Sequence, residues 1–200
     1  MNKITSKANF FSLILSSIKQ NVKVIIFFVL IFVLVIAGLQ IYFFNKNKKI
    51  LELSIAYNEL KYSNSQIDFI ERMNKIAKTK SFYGLLASLD LIRNKINNNQ
   101  YNESYEDYLK LMKNKNIDNL YKTLIAIHGS YNLLEKISND KIDKLLTYID
   151  ESLDSFTGYR LELLFLLSVN NGNINKINSL YEEIIKDDRI SLSIKERVKK

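Results

Sequence analysis

The sequence predicts an all-α protein with one membrane-crossing helix ahead of a domain of repeated helix pairs, and three observations predict it. Residues 24–44, VIIFFVLIFVLVIAGLQIYFF, run without a charge. Beyond them apolar residues return at helical spacing to the C-terminus, with no sustained strand-like alternation. One such pattern also recurs at an interval close to that of known helical repeats.

Residues 1–23 form a basic segment with Lys3, Lys7, Lys19 and Lys23 and no acid. Phe10, Phe11, Leu13, Ile14 and Ile18 recur at near-helical spacing between those lysines, which suits either a short helix on an anionic membrane surface or an unstructured tail. The span is defined by its length. At about 1.5 Å per residue, a helix of residues 24–44 covers about 30 Å, the thickness of the hydrocarbon core. Gln40 is its one strongly polar side chain, near the end where Tyr42, Phe43 and Phe44 reach headgroup level. A buried core helix rarely runs so long with apolar residues on every side. A cleavable signal has an apolar region of roughly 7 to 15 residues and a small-x-small site. Here the run is longer, and Ala37-Gly38 leads into Leu39, Gln40 and the aromatic cluster, so the expectation is an uncleaved anchor.

Residues 45–200 suffice for one compact domain. After the polar, basic stop at residues 45–49, Ile50, Leu53, Ala56, Tyr57 and Leu60 follow the i, i+3, i+4 rule. Ile67, Ile70, Met73 and Ala77 mark a second helix, with Ser65 and Asp68 spaced as a capping box. A third spans residues 82–97, capped by Ser81 and burying Leu85, Leu86, Leu89 and Ile92. The polar break at residues 97–100 precedes a fourth at about 102–113; a fifth follows at about 118–136 and a sixth at about 140–153. Gly158 is expected to separate these from a seventh helix, 159–169, whose leucines leave little room for a solvated face and so predict burial between neighbours. Gly172 is placed to end it in the left-handed conformation. An eighth covers 174–186, and Ser193 with Glu196 predicts a cap for a short last helix.

A motif recurs among these helices. Ile67, Ile70 and Asn74 occupy the same relative places as Tyr101, Ser104 and Tyr108, as Ile142, Leu145 and Ile149, and as Ile174, Ile177 and Tyr181. The first interval is 34 residues, the tetratricopeptide period, while the next two are uneven, 41 and 32 residues. A helix pair has two apolar faces and cannot bury both alone, so neighbouring pairs stack and share an extended core. The expected domain is therefore tetratricopeptide-like, with about four helix pairs; an irregular bundle of amphipathic helices is the plainer alternative.

The segments FYGLLASLDLIRNKINNNQYNESYEDYLKLM, residues 82–112, and YRLELLFLLSVNNGNINKINSLYEEIIKDD, residues 159–188, each lead from an apolar helix with small residues through a polar or Gly turn to a helix with an aromatic at a fixed place. With the basic N-terminus and single span, the chain resembles the YfgM-like family of membrane-anchored tetratricopeptide-like proteins. These are ancillary subunits of the bacterial SecYEG translocon, with alphaproteobacterial relatives of unknown function. The resemblance implies a single-pass inner-membrane protein with a cytoplasmic N-terminus and a periplasmic helical domain that contacts the translocon and periplasmic chaperones. The chain departs from the repeat consensus in having no proline to close each unit and in placing Ile177 where alanine is preferred.

Charge leaves orientation open. Four lysines precede the span, and Lys46, Lys48, Lys49 and Lys61 follow it, so the positive-inside rule barely favours a cytoplasmic N-terminus. Four of the 29 basic residues lie before the span; the 25 others face 21 acids and are scattered, which argues against nucleic-acid binding. The chain has no cysteine, which excludes disulfides and thiolate metal sites.

Chemistry-bearing motifs are few. His128, the one histidine, lies near Leu124, Ile125 and Tyr131 without spaced ligands or an orienting partner. The acid pairs Glu106-Asp107, Glu182-Glu183 and Asp187-Asp188 diverge by about 100° on a helix and face no common substrate. Gly129-Ser130 lacks the flanks of a nucleophile elbow. No catalytic, cofactor or metal site is therefore expected. Tyr83, Asp90, Tyr121, His128, Tyr131 and Arg160 fall on the first helices of their pairs, the concave side of tetratricopeptide stacks, and are the candidate partner contacts. The expected function is a non-enzymatic docking module for secretion or folding factors; a cytoplasm-facing scaffold for a membrane complex is the alternative. No GxxxG pair in the span points to a dimer.

Overall fold

The computed structural model describes residues 3–61 and 66–200, with side chains from residue 21 onward except those of residue 25 and of 62–67. Among the described residues the chain is all-α, without a strand. It divides into two compact units, Met1–Ala56 and Tyr57–Lys200.

The first unit is the greater part of helix α1 (Lys3–Lys61). At Asn21 the backbone leaves helical geometry (φ −111°, ψ 15°), so α1 consists of two helices joined at a kink. The second, Asn21–Lys61, is long and apolar enough to cross a membrane. A core helix would bury its apolar side chains. Here Phe27, Phe32, Leu34 and Phe44 are each more than half exposed, and the apolar window touches nothing that covers it. The basic segment is helical from Lys3, while the side chains of Phe10, Phe11, Leu13, Ile14 and Ile18 lie outside the described residues.

The second unit opens with the last turn of α1, where Tyr57 and Leu60 are buried, and continues through α2 (Gln66–Ala77), α3 (Phe82–Asn97), α4 (Tyr101–Lys113), α5 (Asn119–Leu133), α6 (Asn139–Leu146), α7 (Thr157–Asn170), α8 (Ile174–Lys186) and α9 (Leu192–Arg197). Each helix packs on the next from α2 to α8, and the first helices α5 and α7 also touch directly, the stacking order of a helical repeat. The recurring motif falls on the second helices α2, α4, α6 and α8, except that Ile149 lies in the turn beyond the end of α6 at Leu146.

The turns inside the pairs explain the repetition locally. α3 ends with Asn99 at φ 58° and α7 with Gly172 at φ 65°, and both close the same double hydrogen bond. Gln100 N donates to Lys95 O at 2.9 Å and Asn99 N to Ile96 O at 3.0 Å; Asn173 N donates to Ser168 O and Gly172 N to Val169 O, both at 3.0 Å. This is the Schellman arrangement, which satisfies helix-end carbonyls and reverses the chain within two residues. α5 ends differently and before the expected residue 136: Leu134 is already extended (φ −53°, ψ 137°), and Glu135, φ 64°, follows in a tight turn closed by Lys136 N donating to Leu133 O at 3.0 Å. Ser81 caps α3 by accepting from Gly84 N at 3.1 Å, as its sequence position suggested; the proposed Ser65–Asp68 box involves Ser65, which lies outside the described residues.

Among the described residues two core clusters stand out, besides Tyr57 and Leu60 of α1 and Met73 and Ile76 of α2, which are also buried. Ile92, Tyr108, Met112, Ile125, Ile142 and Leu163 belong to the larger, made by α3 to α7. Leu161, Phe165, Leu180, Ile184, Ile190 and Ile194 form the smaller, between α7, α8 and α9. α7 contributes to both from opposite faces, which is why its sequence is apolar all round. Each fully buried Leu or Ile contributes about 1.5–3 kcal/mol.

Four details depart from the sequence reading. The recurring motif marks buried residues in α4 (Ser104, Tyr108) and at α6 (Ile142, Leu145, Ile149), but Ile174 is 69 % and Ile70 37 % exposed, and Asn74 and Tyr181 also face outward. In α8 the buried residues are Leu180 and Ile184, with Ile177 partly covered, a triad of the same spacing three residues on. A step of three residues turns a helix by about 300°, so both triads share nearly one face and spacing alone cannot choose between them. α6 stops at Leu146, followed by turns and a 3-10 turn at Asp154–Phe156. Gly158 lies inside α7, where a Cβ would meet Ile194 Cδ1 at 2.9 Å; it admits the C-terminal segment rather than separating helices. The N-cap position of α9 is Ser191, and Ser193 is within the helix.

Candidate functional site

Tyr121, Leu124, His128 and Tyr131 are spaced i, i+3, i+7, i+10 and so share one face of α5. Tyr121 and Leu124 are 39 % and 42 % exposed. The Tyr121 ring lies 5.9 Å from that of Phe82, itself 52 % exposed in the first turn of α3. The remaining two residues of the stripe turn toward polar partners.

His128 Nδ1 and the Tyr108 hydroxyl form a 2.7 Å hydrogen bond, and the rings meet edge to face at 5.8 Å. Burial lowers the His128 pKa, and the positive charge of Arg93 lowers it further, so the imidazole is held neutral. Burial raises that of Tyr108. The pair is a closed polar contact between second helix α4 and first helix α5.

Tyr131 donates its hydroxyl to Glu162 Oε2 at 2.6 Å, and Arg197 Nε and Nη2 donate to both oxygens of that carboxylate at 2.5 Å. Glu162 is 2 % exposed, so these donors take the place of water around its carboxylate. Burial and the carboxylate together raise the Tyr131 pKa. The knot ties α5, α7 and α9.

Asp90 accepts the Tyr57 hydroxyl at 2.5 Å and lies 3.9 Å from Arg93 Nη1. Tyr83 places its ring 5.9 Å from Tyr57. Arg160 pairs with Glu151 of the loop before α7. Thus Tyr83 and Asp90 meet around Tyr57, His128 and Tyr131 share the α5 stripe with separate partners, and Tyr121 meets Phe82; Arg160 joins none of these groups. Among the described residues no set of three or more His, Asp or Glu side chains is arranged to hold a metal ion.

A cleft of about 500 Å³ lies where the loop before α3 and the first turns of α3 face the end of α4 and the loop before α5. Phe82 and Tyr121 both line it, with Leu85, Leu111 and Ile117 among its apolar walls. The sequence reading missed Phe82, because nothing in its spacing distinguishes an exposed first-turn aromatic from a buried one. Glu162 was legible in principle. A single acid inside RLELLFLL, on a helix expected to be buried all round, demands a buried counterion.

No protein-family model, curated protein or solved structure matches the chain.

Proposed function

We propose that the protein is a non-enzymatic, membrane-anchored docking module, held by its single span with a cytoplasmic N-terminus in a bacterial inner membrane and serving the Sec translocon and periplasmic chaperones from the periplasmic side. One observation carries the docking reading. Phe82, Leu120, Tyr121 and Leu124 are exposed in the first two turns of α3 and α5, with the rings of Phe82 and Tyr121 5.9 Å apart, whereas the other exposed apolar side chains of the unit, such as Ile174 and Leu192, stand on other helices. Contiguous exposed aromatic and aliphatic groups with a polar rim are the usual signature of a protein-binding surface. Polar groups that could have served chemistry hold helices together instead: His128 is bonded to Tyr108, and Glu162 to Tyr131 and Arg197. The choice of partners and of membrane side rests on the resemblance in sequence.

Two measurements test this. A reporter fused after Lys200 and protease protection in sealed membranes place the second unit; cleavage from the cytoplasmic side rejects the periplasmic assignment and favours a cytoplasmic scaffold. Photo-cross-linkers introduced at Tyr83, Tyr121 and Arg160 in intact membranes should capture translocon or chaperone subunits. Their absence from every adduct, with the unit shown to be folded, rejects those partners.

A further inference from the structure

The cleft beside Phe82 and Tyr121 carries charge as well as apolar surface. Lys78 and Lys80 line it, both exposed, and neither is in an ion pair among the described residues. Lys115 lies between the lining residues Asn114 and Asn116. Asp118 is the one acid among the lining residues, and its Oδ1 is engaged by Leu120 N at 2.8 Å as the cap of α5. The N-termini of both α3 and α5 open beside the cleft, adding the positive ends of two helix dipoles to the lysines.

Its walls are fixed before any partner arrives. Thr79 Oγ1 bonds Ile76 O at 2.7 Å and shares a 2.8 Å hydrogen bond with Ser81 Oγ. α3 lies so close to this loop that a Cβ on Gly84 would stand 2.2 Å from Thr79 O. The opposite loop is closed by Asn114, whose Oδ1 accepts from Asn116 N at 2.9 Å. A partner therefore meets a formed surface and loses less free energy to ordering it.

We propose that this cleft takes an extended acidic segment of a partner protein, one bulky apolar side chain lodging against Phe82 and Tyr121 while flanking carboxylates face Lys78 and Lys80. The assignment rests on the docking reading above and specifies its chemistry. Charge complementarity selects the occupant: the lining offers Lys78 and Lys80, unpaired among the described residues, while its one acid, Asp118, is taken up as the cap of α5.

The full-length chain in lipid nanodiscs, titrated against a fluorescein-labelled Glu-Glu-Phe-Glu-Glu peptide, tests it. Binding should exceed that of the Lys-Lys-Phe-Lys-Lys and Glu-Glu-Ala-Glu-Glu controls by at least about tenfold and weaken with added salt. Phe82→Ala should lose about tenfold or more, the effect of removing an aromatic anchor. Lys78→Glu combined with Lys80→Glu should abolish the preference for the acidic peptide; these side chains are exposed, and unchanged helicity by circular dichroism verifies the fold. Equal binding of the basic peptide, or acidic-peptide binding indifferent to all three substitutions, overturns the assignment. A salt-resistant dimer dissolved by Phe82→Ala overturns it too, by making a second copy the occupant. If the peptide fails while cross-linkers at Tyr83 or Arg160 still capture translocon or chaperone subunits, the cleft assignment falls and the docking reading stands; if no position captures them, those partners fall as well.

Discussion

At the scale of single residues, the polar contacts of the second unit are charge-sensitive. His128 has a folded pKa below its ordinary 6.5, first through burial and then through Arg93. Below pH 6.5 the unfolded chain takes up this proton more readily than the folded one, so the His128 contribution to stability is complete above 6.5 and declines as pH falls beneath it. Thermal denaturation in detergent at about pH 7.5 and about pH 5.5 should show a drop in Tm that is smaller in His128→Gln. An equal drop in both chains would remove His128 as the cause. The Glu162 knot should respond asymmetrically. Arg197→Ala leaves a carboxylate 2 % exposed with the Tyr131 hydroxyl as its remaining side-chain donor, and is expected to cost about 3 kcal/mol. Glu162→Gln should cost less, because the Arg197 side chain is already 49 % exposed and can turn to water. Denaturant melts of the two variants check the order.

At the scale of elements, helix existence and many of the ends were legible because they are local. Ser81, the polar run around Asn99 and Gly172 carry their own stop and start chemistry, and α3 and α8 have the bounds that their sequences suggested. The ends of α5 and α6 were not legible. Glu135 has no compositional reason to adopt φ 64°, and the helical spacing of residues beyond Leu146 continues although the helix does not. Two opposite substitutions follow from the left-handed backbone at Glu135 and at Gly172. Glu135→Gly should stabilise by about 1 kcal/mol by removing the Cβ penalty, and Gly172→Ala should destabilise by about the same amount. Urea midpoints measure both; a neutral Gly172→Ala would show that the turn can relax.

At the scale of the whole molecule, the span and the helical unit place different demands on the sequence. A bilayer-crossing helix needs length and apolarity and no particular neighbour, so that residues 24–44 are long and apolar enough is legible without any tertiary information. Lysines at Phe32, Val35 and Leu39 together should oppose insertion by about 9 kcal/mol and shift the chain from the alkali-resistant membrane fraction to the extract. Retention of that variant would argue against a span. The all-α class and the sequential helix pairs were likewise fixed by local periodicity and turn residues. Which triad of each second helix is buried, which face α7 gives to each of its two cores, and whether Phe82 and Tyr121 are covered or bare depended on long-range packing. Helical spacing defines a face only to within a turn or so, while burial is a property of what stands opposite it. By itself the sequence determined a helix long and apolar enough to cross a membrane and a train of amphipathic helices; only the tertiary structure decided that Glu162 is locked to Arg197 and that an aromatic pair beside two lysines is left exposed.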